Sequence, residues 1–325
     1  MKLIIQIPCY NEAETLPITV AELPKAIEGI DCIEIVIIDD GSKDGTAEIA
    51  QQLGIDHIVR NRKNMGLAYT FQHGLDYCLR AGADIIVNTD ADNQYPGHYI
   101  ADLVQPILDN EADIVIADRQ IDKIEHFSPI KKLLQKLGSW TVRTVSGTAV
   151  PDAPSGFRAY SRDTALRLNV LTRFSYTLDT IIQAGKMGLT IVSVPVKTNG
   201  PTRPSRLQTS MWHFIKAQAS TIVRLYAFYE PLRTFSYLSL PFILMGALLY
   251  LRFFVNYLAK GGDRFVQSVT IGTGLLLVGF LIFIFGVLAD VISKQRQLTQ
   301  ESLYRLKKLE MDVHQQNQQD ERKLL

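Results

Sequence analysis

Two long apolar segments near the C-terminal end constrain this chain more than any other feature of its sequence. Residues 234–259 carry one charged side chain, Arg252, and residues 267–289 carry none. At about 1.5 Å per residue, a helix of either length crosses the ~30 Å hydrocarbon layer of a bilayer. A soluble helical hairpin, the alternative, would need a second core that the rest of the chain is too short to wrap. The sequence therefore predicts an integral membrane protein with two transmembrane helices.

Residues 1–200 follow a different pattern, in which short β-rich runs alternate with helical stretches. This alternation is typical of βαβ units on a largely parallel sheet. The runs are apolar at successive positions, as in residues 35–38, which indicates strands covered on both faces. The predicted strands are residues 3–7, 33–38, 57–59, 85–88, 114–117 and 191–196. The predicted fold class is α/β, with a largely parallel sheet and helices on both faces, followed by interfacial amphipathic helices and the two spans.

The predicted domain organisation follows from these patterns. Residues 1–200 form a large domain, residues 234–259 and 267–290 the spans, and residues 291–325 a helical tail that lies on the domain or pairs with a neighbouring subunit. Between domain and spans, residues 201–233 combine helical apolar spacing with cations, which favours amphipathic helices in the membrane interface over a helix packed on the domain. The cations are Arg203, Arg206, Lys216, Arg224 and Arg233. Two spans return the chain to its starting side, and the N-terminus lacks the apolar region of a signal peptide, so domain and tail are predicted to be cytoplasmic.

Charge and cysteine usage exclude several classes of function. Lys+Arg 34 and Asp+Glu 33 leave a formal net charge of +1, so there is no broad basic field for nucleic acid. Cys9, Cys32 and Cys78 show no C-x-x-C spacing, which predicts reduced, buried thiols and no zinc or redox site. The glycine patterns of dinucleotide-binding folds and of P-loops are also absent from the sequence.

Polar clusters follow the first two predicted strands at their carboxyl ends, where open α/β sheets bind ligands. They contain Pro8, Tyr10, Asn11 and Glu12 after the first strand, and Asp39, Asp40 and Ser42 after the second. An aspartate there accepts hydrogen bonds from base N–H groups or ribose hydroxyls, and Gly41 lets backbone approach closely. A turn with a helix cap at Ser42 or Asp44 is the structural alternative.

A third polar cluster, Asp90-Ala91-Asp92-Asn93-Gln94, follows the fourth predicted strand. Two carboxylates one residue apart can point into one crevice and hold a hard divalent cation through oxygen. Such an ion keeps open positions for a diphosphate and neutralises charge on a departing nucleotide. The D-x-D pattern alone is also common in capped turns. Because all three clusters are expected at one edge of one sheet, the sequence favours a shared site for nucleotide and metal.

The motifs of this chain, taken in order, are Pro8-x-Tyr10-Asn11-Glu12, Asp39-Asp40-Gly41-Ser42-x-Asp44-Gly45-Thr46, Asn64-x-Gly66, Asp90-Ala91-Asp92-x-Gln94-x-Pro96 and Ser155-Gly156-Phe157-Arg158-Ala159. This series resembles that of family 2 glycosyltransferases. Within the family, it is similar to the polyprenyl-phosphate branch of dolichyl-phosphate mannose synthases and bactoprenol glucosyltransferases. The two C-terminal spans make the bactoprenol glucosyltransferases the nearer resemblance.

The resemblance implies a GT-A fold, a nucleotide-sugar donor, and Mg²⁺ or Mn²⁺ as cofactor. The implied donor-nucleotide residues are Pro8, Tyr10, Asn11, Glu12, Asp39, Asp40, Ser42, Asn64, Gly66 and Asp90. The implied metal ligands are Asp90, Asp92 and Gln94, and the implied catalytic residues are Asp90, Asp92, Asp152 and Arg158. The implied acceptor-phosphate residues are Arg119, Lys131, Lys132 and Ser155. Relatives carry an Arg and a Ser where this chain has Lys131 and Gln135, and lysine supplies charge without a bidentate fork.

The resulting hypothesis is an inverting membrane glycosyltransferase that moves glucose from UDP-glucose to a polyprenyl (undecaprenyl) phosphate. The alternatives are another donor such as GDP-mannose, a processive polysaccharide synthase, or a non-catalytic membrane scaffold that binds nucleotide sugars. The sequence contains no Q-x-x-R-W motif, which disfavours polymer synthesis. A homo-oligomer with close helix contacts at Gly272, Gly274 and Gly279 is a further expectation, and pairing of the spans within one chain is the simpler explanation of those glycines.

Overall fold

The computed structural model describes residues 1–121, 129–170, 176–200, 220, 223–224, 226–260 and 266–324. The chain forms two compact units, Met1–Gln218 with Glu301–Leu325, and Ala219–Gln300. The predicted amphipathic segment 201–233 lies largely outside the described residues, since 201–219, 221–222 and 225 are not among them.

The first unit is built on a seven-stranded sheet whose order is β3-β2-β1-β4-β6-β5-β7. Its strands are β1 (Lys2–Cys9), β2 (Cys32–Asp39), β3 (His57–Arg60), β4 (Ile85–Asn88), β5 (Ile114–Asp118), β6 (Arg158–Ser161) and β7 (Ile191–Pro195). Neighbouring strands are parallel except at β6, which is antiparallel to β4 and β5. The predicted α/β fold with a largely parallel sheet is thus confirmed, and every predicted strand is present. The sequence analysis missed β6.

Helices cover both faces of this sheet. The helices of this unit are α1 (Leu16–Ala21), α2 (Thr46–Gln52), α3 (Leu67–Arg80), α4 (Tyr99–Leu108), α5 (Pro129–Ser146), α6 (Arg162–Arg167) and α7 (Tyr176–Lys186). Alternate β1 residues such as Leu3 and Ile5 share one buried cluster with Leu103 of α4. The opposite face meets α3, where a Cβ atom at Gly74 would lie 2.7 Å from Gln6 Oε1. The continuous apolar runs of the strands are explained by this double cover.

Two long helices follow, α8 (Pro231–Lys260) and α9 (Val266–Leu324). Each is long and apolar enough to cross a membrane, over Pro231–Ala259 and within Val266–Met311. Within the second unit, the helices approach closely at glycines. A Cβ atom at Gly272 would lie 3.0 Å from Tyr250, and one at Gly279 would lie 2.7 Å from Ile243. These two glycines therefore serve pairing within the chain and give no support to an oligomer interface.

Helix α9 continues without interruption through the predicted tail. Its C-terminal part belongs to the first unit, where Tyr304 donates a hydrogen bond to Asp163 at 2.7 Å and its ring lies 4.1 Å from the Arg167 guanidinium. Lys307 Nζ lies 2.8 Å from Asp76 of α3. Of the two alternatives left open by the sequence, the tail thus lies on the domain of its own chain.

The cysteines match their prediction in part. All three are free thiols, and Cys9 and Cys78 are buried as expected, whereas Cys32 is exposed at the start of β2. The expectation of a buried thiol is wrong for Cys32, because the N-terminal end of β2 is open to solvent.

Candidate active site

The loops that follow β1 and β2 are joined into one surface by hydrogen bonds. Asn11 N donates to Ser42 Oγ at 2.8 Å, and Lys43 N donates back to Asn11 Oδ1 at 2.9 Å. Asn11 adopts a left-handed conformation (φ 55°), which asparagine tolerates better than most residues. Glu12 N donates to Thr46 Oγ1 at 2.9 Å. The two predicted nucleotide motifs therefore form a single edge at the carboxyl ends of the parallel strands.

Not every residue of the first motif can reach a ligand with its side chain. Pro8 is buried inside β1, opposite Ile38 of β2. Glu12 is also buried, and its carboxylate accepts a hydrogen bond from Thr15 Oγ1 at 2.8 Å. Tyr10 is exposed. Within this motif, Tyr10 is thus exposed and Asn11 partly exposed, whereas Pro8 and Glu12 are buried and shape the loop.

Asp39 ends β2 with a fully buried carboxylate that is bound on two sides. Its Oδ1 accepts a hydrogen bond from Ser42 N at 2.9 Å, and its Oδ2 lies 3.0 Å from Arg60 Nε. Arg60 also donates from Nη2 to Ser42 O at 3.1 Å. The sequence analysis did not single out Arg60, although it directly follows the third predicted strand. Arg60 offsets the charge of Asp39, while the hydrogen bond from Ser42 N orients its carboxylate and Oδ2 makes no hydrogen bond with any of the described residues.

Asp40 binds the loop that carries two further residues of the predicted nucleotide site. Its carboxylate is almost fully buried and accepts hydrogen bonds from Asn61 Nδ2 and Met65 N at 2.8 Å and from Gly66 N at 2.9 Å. These bonds hold the loop 61–66, on which Asn64 is exposed. Asp40 thus positions the loop that presents Asn64 and Gly66, and its direct contact with a nucleotide stays a prediction.

Gly41 is required by the same loop. Its φ is +72°, and a Cβ atom would lie 2.8 Å from the backbone carbonyl carbon of Lys63. Real Cβ atoms do not approach backbone so closely, and the left-handed conformation disfavours other residues at this position. The glycine thus lets the loop 61–66 close onto the β2 loop.

The third predicted cluster lies in the turn after β4. Asp90 and Asp92 are both partly exposed, and Asp92 Oδ1 accepts a hydrogen bond from Gln94 N at 3.2 Å. Asp90 lies against Gly156, where a Cβ atom would be 3.2 Å from Asp90 Oδ2. Among the described residues, no group of three His, Cys, Asp or Glu side chains forms a metal cage. Two carboxylates with an amide nearby still fit Mg²⁺ or Mn²⁺, which commonly keep positions for water and substrate phosphates.

Arg119 and Asp152 are bound to each other in a buried, bidentate ion pair. Arg119 Nε donates to Asp152 Oδ2 at 2.7 Å, and Nη2 donates to Oδ1 at 2.8 Å. Burial lowers the pKa of Arg119, but Tyr95, Asp152 and Asp90 raise it by more, so the pKa lies above its ordinary value. The predicted acceptor residue and the predicted catalytic carboxylate thus neutralise each other, a pairing that the sequence analysis did not anticipate.

Arg158, which the resemblance implied as a catalytic residue, is fully buried. Its guanidinium donates to the backbone oxygens of Ser155 and Ala153 at 2.7 Å and of Thr177 at 2.8 Å, and to Thr180 Oγ1 at 2.8 Å. Ser155 is fully buried as well, and its predicted contact with an acceptor phosphate stays a prediction. Arg158 holds the segment before β6 onto α7.

Two buried tyrosines that the sequence analysis missed lie close to these groups. Tyr176 Oη accepts a hydrogen bond from Asn88 Nδ2 at 3.2 Å and would lie 2.8 Å from a Cβ atom at Gly156. Burial, and next the negative charge of Asp90, raise the pKa of Tyr176 well above its usual range. Burial also raises the pKa of Tyr95, with Arg119 acting in the opposite direction. Both phenols therefore stay neutral beside the carboxylates, and no local motif marked them.

The predicted acceptor helix is α5. The side chain of Lys131 lies outside the described residues, and Lys132 is half-buried. The same helix exposes an apolar row at helical spacing, with Leu133 67%, Leu137 45% and Trp140 52% exposed. Apolar and cationic side chains are therefore combined on the exposed part of α5.

Comparison with known proteins decides the family. The model of Glycosyl transferase family 2 matches residues 4–167, and the model of the GtrB C-terminal hairpin matches residues 230–295. The chain belongs to glycosyltransferase family 2. The resemblance proposed from the motifs is thereby confirmed, and the hairpin match covers α8 and the apolar part of α9 in this family 2 glycosyltransferase.

Relatives of this family 2 glycosyltransferase act on lipid phosphates, according to their names. It is 28% identical to the undecaprenyl-phosphate mannosyltransferase of Micrococcus luteus, over 60% of this chain and 83% of that protein. It is 26% identical to the polyprenol monophosphomannose synthase of Mycolicibacterium smegmatis, over 59% and 76%. It is 30% identical to the UDP-N-acetylglucosamine–dolichyl-phosphate N-acetylglucosaminyltransferase of Methanococcus voltae, over 59% and 83%.

Solved structures support the GT-A-type fold of this family 2 glycosyltransferase. Glucosyl-3-phosphoglycerate synthase from Mycobacterium tuberculosis, in complex with Mn²⁺, UDP and phosphoglyceric acid, matches with a TM-score of 0.54 at 18% identity. The match covers 70% of this chain and 77% of that one. A second complex of the same enzyme holds Mg²⁺ and UDP and matches with a TM-score of 0.52. The likeness establishes the fold, and the metal and nucleotide belong to that enzyme.

Proposed function

We propose that this chain transfers one sugar from a nucleotide sugar to a polyprenyl phosphate at the membrane. The proposal rests on the position of Asp90 and Asp92 just after β4. This strand pairs with β1, and the loops that follow β1 and β2 are joined to each other by hydrogen bonds. Carboxyl ends of adjacent parallel strands meet at one edge, so nucleotide and diphosphate contacts share one crevice. The same chain carries two helices able to cross a membrane.

The acceptor side is supported by α5 and by the named substrates of the relatives. Leu133, Leu137 and Trp140 offer an apolar row, and Lys132 offers a cation beside it. A lipid phosphate has both an apolar chain and an anionic head, so this combination suits it. We infer that α5 receives the acceptor, with Lys131 and Lys132 near its phosphate.

The chemistry proposed needs no general base. A monoester phosphate has its second pKa near ~6, so it is largely dianionic at neutral pH and already a nucleophile. The difficulty is the approach of two anionic groups, which calls for cations on both sides of the anomeric carbon. A divalent cation held by Asp90, Asp92 and Gln94 would supply charge to the departing diphosphate. Single displacement inverts the configuration, so an α-linked donor gives a β-linked product.

On the acceptor side, the Arg119–Asp152 pair positions the cation. Because Asp152 accepts from Nε and from one hydrogen of Nη2, the guanidinium is fixed in orientation. We assign the remaining N–H groups, on Nη1 and Nη2, to an acceptor phosphate. The carboxylate also reduces the net charge that the pair presents. We therefore assign Asp152 a positioning role and Arg119 the contact with the phosphate.

For the donor, we propose UDP-glucose, with GDP-mannose as its main competitor. The resemblance of the motifs to those of bactoprenol glucosyltransferases favours glucose. The names of the relatives favour mannose or N-acetylglucosamine. We further propose that the N-terminal domain and the tail are cytoplasmic, because two spans return the chain to one side and nucleotide sugars are cytoplasmic substrates in this scheme.

The test is a transfer assay with the purified full chain. Protein, Mg²⁺ and undecaprenyl phosphate are incubated with radiolabelled UDP-glucose, GDP-mannose or UDP-N-acetylglucosamine, and label is measured in the organic phase. We expect label from one donor, lost on chelation and lost in Asp92→Asn. Asp102→Asn, an exposed carboxylate on α4, is the matched control and should keep full transfer.

Each other result points elsewhere. If Asp92→Asn transfers as much sugar as the control, the proposed metal site is wrong. Label in long polymer would favour the processive synthase, and tight UDP binding without transfer from any donor would favour the scaffold. A product that retains the donor configuration would exclude single displacement.

A further inference from the structure

The turn that carries the proposed metal ligands, residues 90–97, is here named the acid turn. Its backbone oxygens are bound from two directions by residues distant in sequence. Thr19 Oγ1 of α1 donates to Ala91 O at 3.0 Å. Asn199, beyond β7, donates twice, from Nδ2 to Asn93 O and from its backbone N to Gln94 O, both at 2.9 Å. With its carbonyls occupied in this way, the turn is held as a unit between α1 and the segment after β7.

The conformation of the acid turn needs such support. Asn93 has a φ of 53°, in the left-handed region that residues with a Cβ atom adopt rarely. Its Nδ2 donates to Glu22 Oε1, one residue past α1, at 3.0 Å. At the other end of the turn, a Cβ atom on Gly97 would lie 2.2 Å from Glu22 O, so only glycine fits there. Glu22 therefore holds the turn through its side chain and through close backbone packing.

We propose that Asn199 and Glu22 are positioning residues that set the affinity of the acid turn for a divalent cation bound with a nucleoside diphosphate. Neither side chain is among the proposed ligands. Both act through Asn93, which stands between Asp92 and Gln94, so a change in the backbone at Asn93 moves both of these ligands. This inference rests on the proposed function, because it takes the acid turn as the metal site.

The experiment measures Mn²⁺ binding by electron paramagnetic resonance in the full chain with UDP present and no lipid acceptor. One hydrogen bond contributes roughly 0.5–1.5 kcal/mol, so we expect Asn199→Ala to bind Mn²⁺ about two- to thirteen-fold more weakly. Thr198→Ala, at the adjacent half-buried position, is the matched control and should bind like the natural chain. In the transfer assay, raising Mn²⁺ should restore most of the kcat of Asn199→Ala.

A second pair of variants tests the other contact and allows for misfolding of Asn199→Ala. Glu22→Ala should weaken Mn²⁺ binding, while Glu22→Gln should retain it, because the amide oxygen still accepts the hydrogen bond from Asn93 Nδ2. A merely electrostatic role of Glu22 would instead make the two variants equal, which would overturn the inference for that residue.

The outcomes separate this inference from the proposed function. If the natural chain binds UDP but Asp92→Asn does not change Mn²⁺ binding, the proposal of a metal site at the acid turn is wrong. If the natural chain binds Mn²⁺ through Asp92 while Asn199→Ala and Glu22→Ala match Thr198→Ala, the metal site stands and the positioning role is refuted.

Discussion

Removal of the Asp152 carboxylate is the most direct probe of the buried pair with Arg119. Only 1% of the Asp152 side chain and 9% of the Arg119 side chain are exposed. Two hydrogen bonds of 2.7 and 2.8 Å join the side chains, and Arg119 N donates a third to Asp152 Oδ2 at 3.1 Å. In Asp152→Ala, the guanidinium stays charged, because arginine does not lose its proton in proteins. The variant therefore leaves an uncompensated cation in the interior.

The expected effect on stability is large. Breaking a buried ion pair by removal of one partner costs about 3–5 kcal/mol, against about 5–15 kcal/mol for the total stability of a domain. For a domain of this size, each kcal/mol lowers Tm by roughly 2–4 °C, so Asp152→Ala should melt about 6–20 °C lower. The Tm of Asp152→Asn should lie between those of the natural chain and Asp152→Ala, because the amide oxygen keeps one hydrogen bond from Arg119 but carries no charge.

The assay is thermal unfolding of the purified full chain in detergent, followed by near-ultraviolet circular dichroism. Glu301→Ala is the control, since Glu301 pairs with Arg305 on the surface, where the two side chains are 47% and 76% exposed. Exposed pairs contribute about 0.2–1 kcal/mol. The double variant Arg119→Met/Asp152→Leu should recover much of the lost stability without recovering transfer. A Tm for Asp152→Ala equal to that of the control would refute the argument.

Further predictions concern the membrane face and the acid stability of the domain. The chain has two tryptophans, so Trp212→Phe leaves Trp140 of α5 as the only fluorescent tryptophan. After reconstitution into lipid, the emission of Trp140 should shift to the blue and be quenched by brominated lipid. Quenching by iodide alone would contradict the placement of α5 at the membrane. Burial raises the pKa of Glu34, but hydrogen bonds from Lys2 and His57 lower it by more, so the net pKa lies below 4.5. The stability contributed by Glu34 is therefore present above pH 4.5 and lost as pH falls through its lowered pKa. Glu34→Gln should have a lower urea midpoint than the natural chain at neutral pH. The two midpoints should converge as pH falls below the lowered pKa of Glu34, and a difference that is constant with pH would count against this assignment.

Much of the fold was predictable from local sequence. Runs such as residues 35–38 and 85–87 are apolar at every position, and this pattern belongs to strands covered on both sides. The strand β6 was missed because it is short, begins with the charged Arg158 and stands among residues that resemble a ligand motif. Its charged first residue is buried and held by tertiary hydrogen bonds, which a local sequence pattern cannot predict.

The individual tasks of the site residues were harder to predict than their location. Asp39 and Asp40 are adjacent in sequence, yet one pairs with Arg60 and the other binds the loop 61–66. Arg119 and Asp152 are 33 positions apart and meet only because β5 and the segment before β6 end at the same edge. Residue type and strand position predict where chemistry takes place, whereas the direction of each side chain depends on the assembled sheet.

The reversed direction of β6 brings a separate segment of the chain to the site. Since β6 is antiparallel, Arg158 at its start stands opposite Asn88 at the end of β4, and the segment 147–157 that enters β6 emerges beside Asp90. That segment carries Asp152, lies between α5 and β6, and contacts β4 through the hydrogen bond from Asn88 Nδ2 to Gly156 O at 2.8 Å. Under our assignment, the acceptor-facing segment thus reaches the site from outside the nucleotide-binding strands. Exchanges within it that keep Asp152, Gly156 and Arg158 should change acceptor contacts while leaving the donor half as it is.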